Sequence, residues 1–325
     1  MTGGAQVRVL VLGGAGYIGS VVARFVLEAG HRVTVLDDLS TGHHDAVPAE
    51  AAFVQGDISS AGELFADGDY DAVIHLAAKS LVGESVVNPS LYWHTNVEGS
   101  RALLDAMTRF DVPRLVFSST AATYGEPDQV PITEDFPTKP TNTYGATKLA
   151  VDMMITGECI ATDLAAVSLR YFNVAGASHG VGERHGTETH LIPIALEAVL
   201  GKRDKLTVYG DDWPTPDGTP LRDYVHVADL ARAHVLALTA ADPGEHLICN
   251  LGNGNGFSVK DVISTVEKVT GMEVPHAFGP RRAGDPTRLV ASAARAKERL
   301  GWEPELDLEA MVTDAWAFLQ SRQQA

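Results

Sequence analysis

Tyr144 and Lys148 are four positions apart and could carry out proton-transfer chemistry. On a helix, residues i and i+4 lie on one face, so the lysine ammonium would lie beside the phenol. An ammonium there favours the phenolate and lowers the pKa of the phenol from its usual value of about 10. Thr120, with Ser118 two positions before it, ends a strand-like stretch and could hold a substrate oxygen. We therefore predict that Tyr144 is a general base assisted by Lys148 and Thr120.

A glycine-rich turn near the start of the chain could bind a dinucleotide. Residues 13–19 read GGAGYIG, between an apolar run and a helical stretch. Glycines there permit a tight turn and let the backbone approach a pyrophosphate, which then lies on helix N-terminal amides. Asp37 ends the next apolar run, close to the spacing of about 20 residues at which a carboxylate accepts hydrogen bonds from ribose hydroxyls. Such a carboxylate repels a 2′-phosphate, so the sequence predicts NAD rather than NADP. Asp38 could share that role, and Asp57 with Ile58 could flank the adenine.

The elements that must position these residues follow from hydrophobic periodicity. Near-continuous apolar runs alternate with stretches of helical spacing, which predicts buried parallel strands joined by helical crossovers. We predict a Rossmann-like, doubly wound α/β domain over 1–172 and a smaller α+β substrate lobe over 173–325. The predicted strands are 7–12, 31–36, 52–55, 72–75, 115–118 and 166–171, and the predicted helices are 18–29, 88–110 and 143–159, with a loop over 176–188.

Composition excludes several classes of partner. The formal net charge is −17, which repels nucleic-acid phosphates and anionic membrane surfaces. The two cysteines are far apart, so we expect no disulfide framework and a reducing, cytoplasmic location. No stretch reads as a signal peptide or a membrane span. We interpret the histidines at 43–44 and the group Glu183, His185, Glu188 and His190 as polar surface residues and predict no metal.

Together these motifs resemble the extended short-chain dehydrogenase/reductase superfamily, and further stretches resemble its UDP-galactose 4-epimerases. The resemblance extends from about residue 7 to residue 302, and the motifs after residue 173 are the more specific ones. It implies a UDP-sugar 4-epimerase that uses NAD and forms a homodimer through the helix bearing Tyr144 and its neighbour. The matching stretches are 12–19, 36–42, 75–78, 82–85, 96–97, 118–125, 170–173, 222–227, 250–252 and 281–285.

The resemblance also implies residue roles. Tyr144 would take the proton of the sugar 4-hydroxyl, Lys148 would hold the nicotinamide ribose, and Thr120 would bind the same hydroxyl. Hydride would pass from C4 of the sugar to NAD and return to the other face. Cofactor contacts are expected from Gly13, Gly16, Tyr17, Ile18, Gly19, Asp37, Asp38, Asp57, Ile58, Leu76, Ala77, Ala78, Asn96, Ser118, Tyr144, Lys148 and Tyr171. Substrate contacts are expected from Thr120, Tyr144, Asn173, Leu191, Tyr209, Arg222, Arg282, Asp285 and Leu289, the two arginines as cationic forks for the diphosphate.

Four positions depart from the family pattern. Thr120 replaces a serine seen in some relatives, which is a mild change. Lys79 lies one position earlier than a lysine that some members carry, which leaves its contact with the cofactor open. His190 stands where an asparagine can occur. Leu289 stands where certain members carry a bulky aromatic residue, so we predict room for an N-acetyl group and activity on UDP-GlcNAc and UDP-GalNAc.

Three other classes of function are compatible with a fold of this kind. A 4,6-dehydratase or decarboxylase needs an acid pair after the strand-end threonine, whereas Ala121 and Ala122 stand there. An epimerase of UDP-pentoses and another NAD-dependent nucleotide-sugar enzyme stay open as alternatives. A non-catalytic NAD-sensing regulator is disfavoured, because a pure sensor has no need of Tyr144 and Lys148.

Overall fold

The computed structural model describes residues 6–186, 188–282 and 285–323. Within these ranges the strands are β1 (Arg8–Leu12), β2 (Arg32–Asp37), β3 (Ala52–Gln55), β4 (Ala72–His75), β5 (Arg114–Thr120), β6 (Ala165–Tyr171), β7 (Asn173–Ala175), β8 (Ala177–Ser178), β9 (Val181–Gly182), β10 (Leu206–Tyr209), β11 (Leu221–Arg222), β12 (Tyr224–His226), β13 (His246–Leu251), β14 (Phe257–Ser258), β15 (His276–Gly279) and β16 (Arg288–Leu289). The predicted parallel sheet is present, in the order β13-β6-β5-β4-β1-β2-β3.

The helices surround this sheet and build the second lobe. The long predicted helix over 88–110 is three consecutive pieces: α4 (Pro89–Tyr92), a π-helical turn (Trp93–Glu98) and α5 (Gly99–Arg109). The helices are α1 (Tyr17–Glu28), α2 (Ala61–Asp67), α3 (Val82–Val87), α4 (Pro89–Tyr92), α5 (Gly99–Arg109), α6 (Thr143–Ala161), α7 (Leu191–Val199), α8 (Val227–Ala237), α9 (Val259–Thr270), α10 (Ala294–Leu300) and α11 (Leu308–Ser321). Short 3₁₀ turns lie at His44–Ala46, Ile58–Ser60 and Ala121–Tyr124.

The central sheet is buried on both faces, as its apolar runs predict. In β1, Val9 and Val11 face one core cluster, whereas Leu10 and Leu12 face the other. Helices α1 and α8 pack on the first face, and α2, α5 and α6 contribute to the second. The Rossmann-like α/β class is therefore confirmed.

Residues after 172 contribute to both parts of the molecule. Strand β13 pairs in parallel with β6 and adds a seventh strand to the central sheet, and α8 packs against α1. Neither β13 nor α8 is among the strands and helices predicted from the sequence. A third core cluster, which includes Ile192, Val262 and Met311, builds the smaller lobe. The division after residue 172 stays a prediction, and these two elements return from the second segment to the sheet.

Candidate active site

The carboxyl ends of the parallel strands open into one large cavity, where ligands of such sheets bind. Its volume is about 1460 Å³, which exceeds the roughly 300–1,000 Å³ of a pocket for a drug-sized ligand. The cavity runs from the glycine turn after β1, past Thr120 at the end of β5, to Arg222 and Leu289 in the smaller lobe. A cavity of this size and extent fits a dinucleotide and a nucleotide-sugar together.

Two glycines of the turn after β1 have no room for a side chain. Gly13 has φ of 78°, and a Cβ there would lie 2.7 Å from the backbone nitrogen of Ala77. A Cβ on Gly19 would collide with the carbonyl oxygen of Gly13. Helix α1 begins after Gly16, whose N-cap position carries no side chain to cover the first amides. The turn therefore fits a pyrophosphate at a helix N-terminus.

Asp37, at the end of β2, anchors the adenosine side of the cavity. One carboxylate oxygen accepts from the backbone nitrogen of Ala15 at 2.9 Å, and the other accepts from that of Leu39 at 2.8 Å. The side chain is buried, yet it lines the cavity. Its remaining lone pairs can accept hydrogen bonds from ribose hydroxyls. The residues thus fit NAD at the position that the sequence predicted.

The catalytic candidates meet at one place on the cavity wall. Tyr144 and Lys148 lie on the first turns of α6, whose N-cap Asn142 accepts a hydrogen bond from the backbone nitrogen of Gly145 at 2.9 Å. Thr120 ends β5 and hydrogen-bonds with the Tyr144 phenol. The three predicted catalytic residues therefore line the same stretch of the cavity.

The predicted depression of the Tyr144 pKa is wrong for the chain alone. Burial raises the pKa of Tyr144 to about 12, and the hydrogen bond from Thr120 opposes that rise only partly. Burial also lowers the pKa of Lys148 to about 8, against the opposing charge of Asp152. Loss of water around the buried phenol is the dominant cause of the shift, and the spacing of Tyr144 and Lys148 does not contain this effect.

Lys148 is held by groups beneath the cavity wall. Its Nζ donates to the carbonyl oxygen of Ser118 at 2.8 Å and lies 4.7 Å from the ring centroid of Phe117. Nearby His75 is neutral, because burial and the Lys148 charge lower its pKa to about 3. The ammonium therefore has a fixed position, and His75 adds no second positive charge beside it.

Four predicted contact residues do not line the cavity. The Ser118 hydroxyl faces away and lies 2.9 Å from Nε2 of His234, while its carbonyl holds Lys148. Asn96 is buried and bonds both backbone groups of Lys79, at 2.8 and 3.0 Å. Leu191 begins α7, and the exposed Tyr209 ring lies 4.3 Å beneath the Arg282 guanidinium. Ser118, Asn96 and Tyr209 thus contact residues that line the cavity. Direct ligand contacts of all four residues stay predictions.

The smaller lobe contributes cations at the other end of the cavity. Arg222 donates from Nη1 to the carbonyl oxygens of Leu221 and Pro286 at 2.9 and 2.8 Å. Burial lowers the pKa of Arg222, and Asp285 opposes that change. The remaining predicted residues line the cavity as well: Gly13, Gly16, Tyr17, Ile18, Gly19, Asp37, Asp38, Asp57, Ile58, Leu76, Ala77, Ala78, Tyr171, Asn173, Arg282, Asp285 and Leu289. Ala283 and Gly284, within the predicted 281–285 stretch, lie outside the described residues.

The structure adds cavity residues that the sequence did not assign. Lys79 lines the cavity with Nζ 3.2 Å from the Ser40 hydroxyl, so it lies toward the adenosine side that Asp37 defines. Glu183 and His185, interpreted from sequence as surface groups, also line the wall. The spacing of Glu183 to His190 was visible in the sequence, but nothing there placed this loop against the cavity.

The fold and the site define a nucleotide-binding enzyme of the short-chain dehydrogenase/reductase type. The family described as "NAD dependent epimerase/dehydratase family" matches residues 9–252. The chain therefore belongs to that family. Relatives that are 56% and 57% identical to it place it, within the family, among the UDP-glucose 4-epimerases. Across the described ranges, none of the helices combines the length and the apolar character needed to cross a lipid bilayer.

Individual relatives support that membership over nearly the whole chain. A UDP-glucose 4-epimerase of Corynebacterium glutamicum is 56% identical over 96% of this chain and 95% of its own length. One of Streptomyces lividans is 57% identical over 97% of this chain and 96% of its own. The crystal structure of UDP-glucose 4-epimerase from Brucella ovis in complex with NAD is 45% identical, with a TM-score of 0.92, and covers 96% of this chain and 98% of its own.

Proposed function

We propose that this chain interconverts UDP-galactose and UDP-glucose, with NAD as its cofactor and with Tyr144, Lys148 and Thr120 as catalytic residues. The observation that carries the proposal is the single cavity that joins the glycine turn, the Tyr144–Thr120 pair and the Arg222 guanidinium. A 4-epimerase needs these three features together, because sugar, nicotinamide and diphosphate are bound at the same time.

Tyr144 accepts and returns the proton of the sugar 4-hydroxyl. Thr120 shares a hydrogen bond with the Tyr144 oxygen and can orient the hydroxyl toward it. Lys148, protonated below a pKa of about 8, supplies positive charge on the same helix face. When bound, NAD supplies a hydride acceptor and donor, together with a nicotinamide charge that favours the phenolate. Because the proton and the hydride both return to the sugar, the net redox change is zero.

The substrate is held by its nucleotide and not by its sugar. Arg222 is fixed by two carbonyl oxygens and keeps further N–H donors for a diphosphate. Arg282 stacks on Tyr209 and has Asp285 within 4.0 Å, which places a second cation at the same end of the cavity. Firm binding of the diphosphate leaves the sugar free to turn and present its other face.

The direct test mixes purified protein with UDP-galactose and no added cofactor. Proton NMR should show UDP-glucose forming to equilibrium, and absorbance of the protein should report retained nicotinamide. Tyr144→Phe, which keeps the ring and removes the proton acceptor, is the matched control and should lose turnover. Release of free sugar, or no conversion by protein shown to hold NAD, would contradict the proposal.

The sugar range includes N-acetylhexosamines. Leu289 ends β16 on the cavity wall, where an aromatic side chain would take more space. We expect turnover of UDP-GlcNAc by the native chain, and Leu289→Tyr should abolish it while UDP-galactose is still converted. Equal loss of both activities in this variant would contradict selection by size. A UDP-pentose such as UDP-xylose, assayed beside them, tests the alternative substrate class.

The chain forms a homodimer through α6 and its neighbours. Met153 and Ile160 on α6 are one heptad apart and are 68% and 81% exposed. Val86 and Val87 lie exposed on α3, which packs against α6. Light scattering should give twice the chain mass for the native protein, whereas Ile160→Glu should shift it to the monomer. A native monomer would contradict the dimer.

Cys159 and Cys249 are buried free thiols, which suits the cytoplasmic location that we propose.

A further inference from the structure

Two glutamates and two histidines outside the catalytic group converge beside the cavity. Glu183 follows β9, and His190 directly precedes α7, so one loop carries all four side chains of this His–Glu cluster (Glu183, His185, Glu188 and His190). Each residue offers one ligand atom, and the four atoms lie within 4.8 Å of one another. The glutamate side chains are only 9% and 7% exposed, which is unusual for carboxylates without a compensating cation.

The distances inside the cluster match a small coordination sphere. Glu183 Oε1 lies 3.1 Å from Nδ1 of His185 and 2.6 Å from Nδ1 of His190. Oε2 of Glu188 lies 3.7 Å from Nδ1 of His185, and Oε1 of Glu188 lies 3.1 Å from Nδ1 of His190. Tetrahedral zinc with bonds of about 2.0–2.2 Å sets its ligand atoms about 3.4 Å apart. The observed distances bracket that spacing.

Both histidines point the same ring atom, Nδ1, at the same carboxylates. Nδ1 of His185 is shielded from water and, among the described residues, makes no hydrogen bond of good geometry. The two imidazole rings are 5.4 Å apart between centroids. If both were protonated, two positive charges would repel each other at that separation. One divalent cation would place the same charge at the point between all four ligands.

We propose that the His–Glu cluster binds one divalent transition-metal ion of the zinc type, through Nδ1 of each histidine and one oxygen of each glutamate. Carboxylate and imidazole ligands suit zinc and its neighbours, and two of each give a neutral site. The metal is structural: it links Glu183, just after β9, to His190, just before α7. The cluster was interpreted from sequence as surface groups, and the proposal does not depend on the epimerase activity.

The test is calorimetric titration of Zn²⁺ into the tag-free, chelator-treated full chain at pH 7. We expect one ion per chain and a higher melting temperature with Zn²⁺. His190→Asn and Glu183→Gln should each weaken binding by more than the roughly 10–100-fold that loss of an outer partner causes.

His179→Asn is the matched control. His179 pairs with Glu28 at 2.9 Å outside the cluster, and asparagine tolerates its φ of 54°. This variant should bind Zn²⁺ with native affinity. The proposal is overturned if the native chain shows no saturable binding up to millimolar Zn²⁺, or if folded His190→Asn and Glu183→Gln bind as tightly as the control.

Discussion

The buried pair of Asp152 and Arg170 beneath the active site should be a main determinant of stability. Nε and Nη2 of Arg170 donate to one oxygen of Asp152 at 3.0 and 2.8 Å, and the Ser119 hydroxyl donates to the same oxygen at 3.1 Å. Both side chains are less than 5% exposed. Asp152→Asn leaves the arginine charge buried without its counter-ion, which costs about 3–5 kcal/mol.

That cost converts into a measurable shift in melting temperature. With about 2.1 cal/mol/K of unfolding entropy per residue, a chain of 325 residues loses about 4–7 °C. Differential scanning calorimetry of cofactor-matched samples measures the shift. Asp105→Asn is the control, because its ion pair with Arg101 is 2.6 Å long but 69% exposed at the aspartate. An exposed pair contributes about 0–1 kcal/mol, so this variant should lose about 1.5 °C or less.

The double variant Asp152→Leu with Arg170→Met separates a lost attraction from an unpaired buried charge. It should regain stability relative to Asp152→Asn, since apolar residues of similar volume often replace a buried pair at little cost. The reasoning is refuted if Asp152→Asn melts like Asp105→Asn, or if the double variant is less stable than Asp152→Asn. Asp152 also raises the pKa of Lys148, so Asp152→Asn should lower that pKa further.

Three further predictions concern the cofactor, the lysine and the diphosphate. The Gly19→Ala variant should lose NAD during purification, because the added Cβ collides with the Gly13 carbonyl oxygen. Absorbance of the purified protein measures the retained cofactor. The control Gly157→Ala places its Cβ in open space and should retain NAD. The pKa of Lys148 is about 8 in the folded chain, below its ordinary value of 10.5, so unfolding takes up a proton at pH values between the two. As pH rises from about 8 to 10.5, the free energy of unfolding of the cofactor-free chain should therefore increase relative to that of Lys148→Met, measured by urea unfolding. Parallel pH profiles of the two free energies would contradict this prediction. Arg222→Lys should raise KM for UDP-galactose about 10–100-fold with a smaller effect on kcat, because one charge-assisted bond is worth about 1.5–3 kcal/mol; an unchanged KM would place the diphosphate elsewhere.

Local patterns in the sequence were enough to predict the sheet and its nucleotide end. The run around Val9 to Leu12 is apolar on both faces, and only a strand covered on both sides buries such a run. The turn from Gly13 to Gly19 needs its glycines for close backbone approach, and that requirement is visible in the sequence itself. These features depend on neighbours within a few residues.

Features set by distant contacts were not predicted. Strand β13 joins the sheet through pairing with β6, some 80 residues earlier in the chain. The direction of the Tyr144 pKa shift depends on burial by residues from several elements, which the Tyr-x-x-x-Lys spacing does not contain. The His–Glu cluster needed the loop conformation that brings Glu183 to His190. Sequence spacing alone could not distinguish that arrangement from four exposed side chains.

The central claim is that the Tyr144 phenol exchanges the proton of the sugar 4-hydroxyl. It is tested most directly by single-turnover kinetics of Tyr144→Phe holding NAD, with UDP-galactose binding measured on the same sample. We predict native-like UDP-sugar affinity and a rate of reduced-nicotinamide formation lower by at least about 10²–10⁴-fold, the usual contribution of a general acid–base group. A phenylalanine variant that reduces its nicotinamide at the native rate would contradict the account.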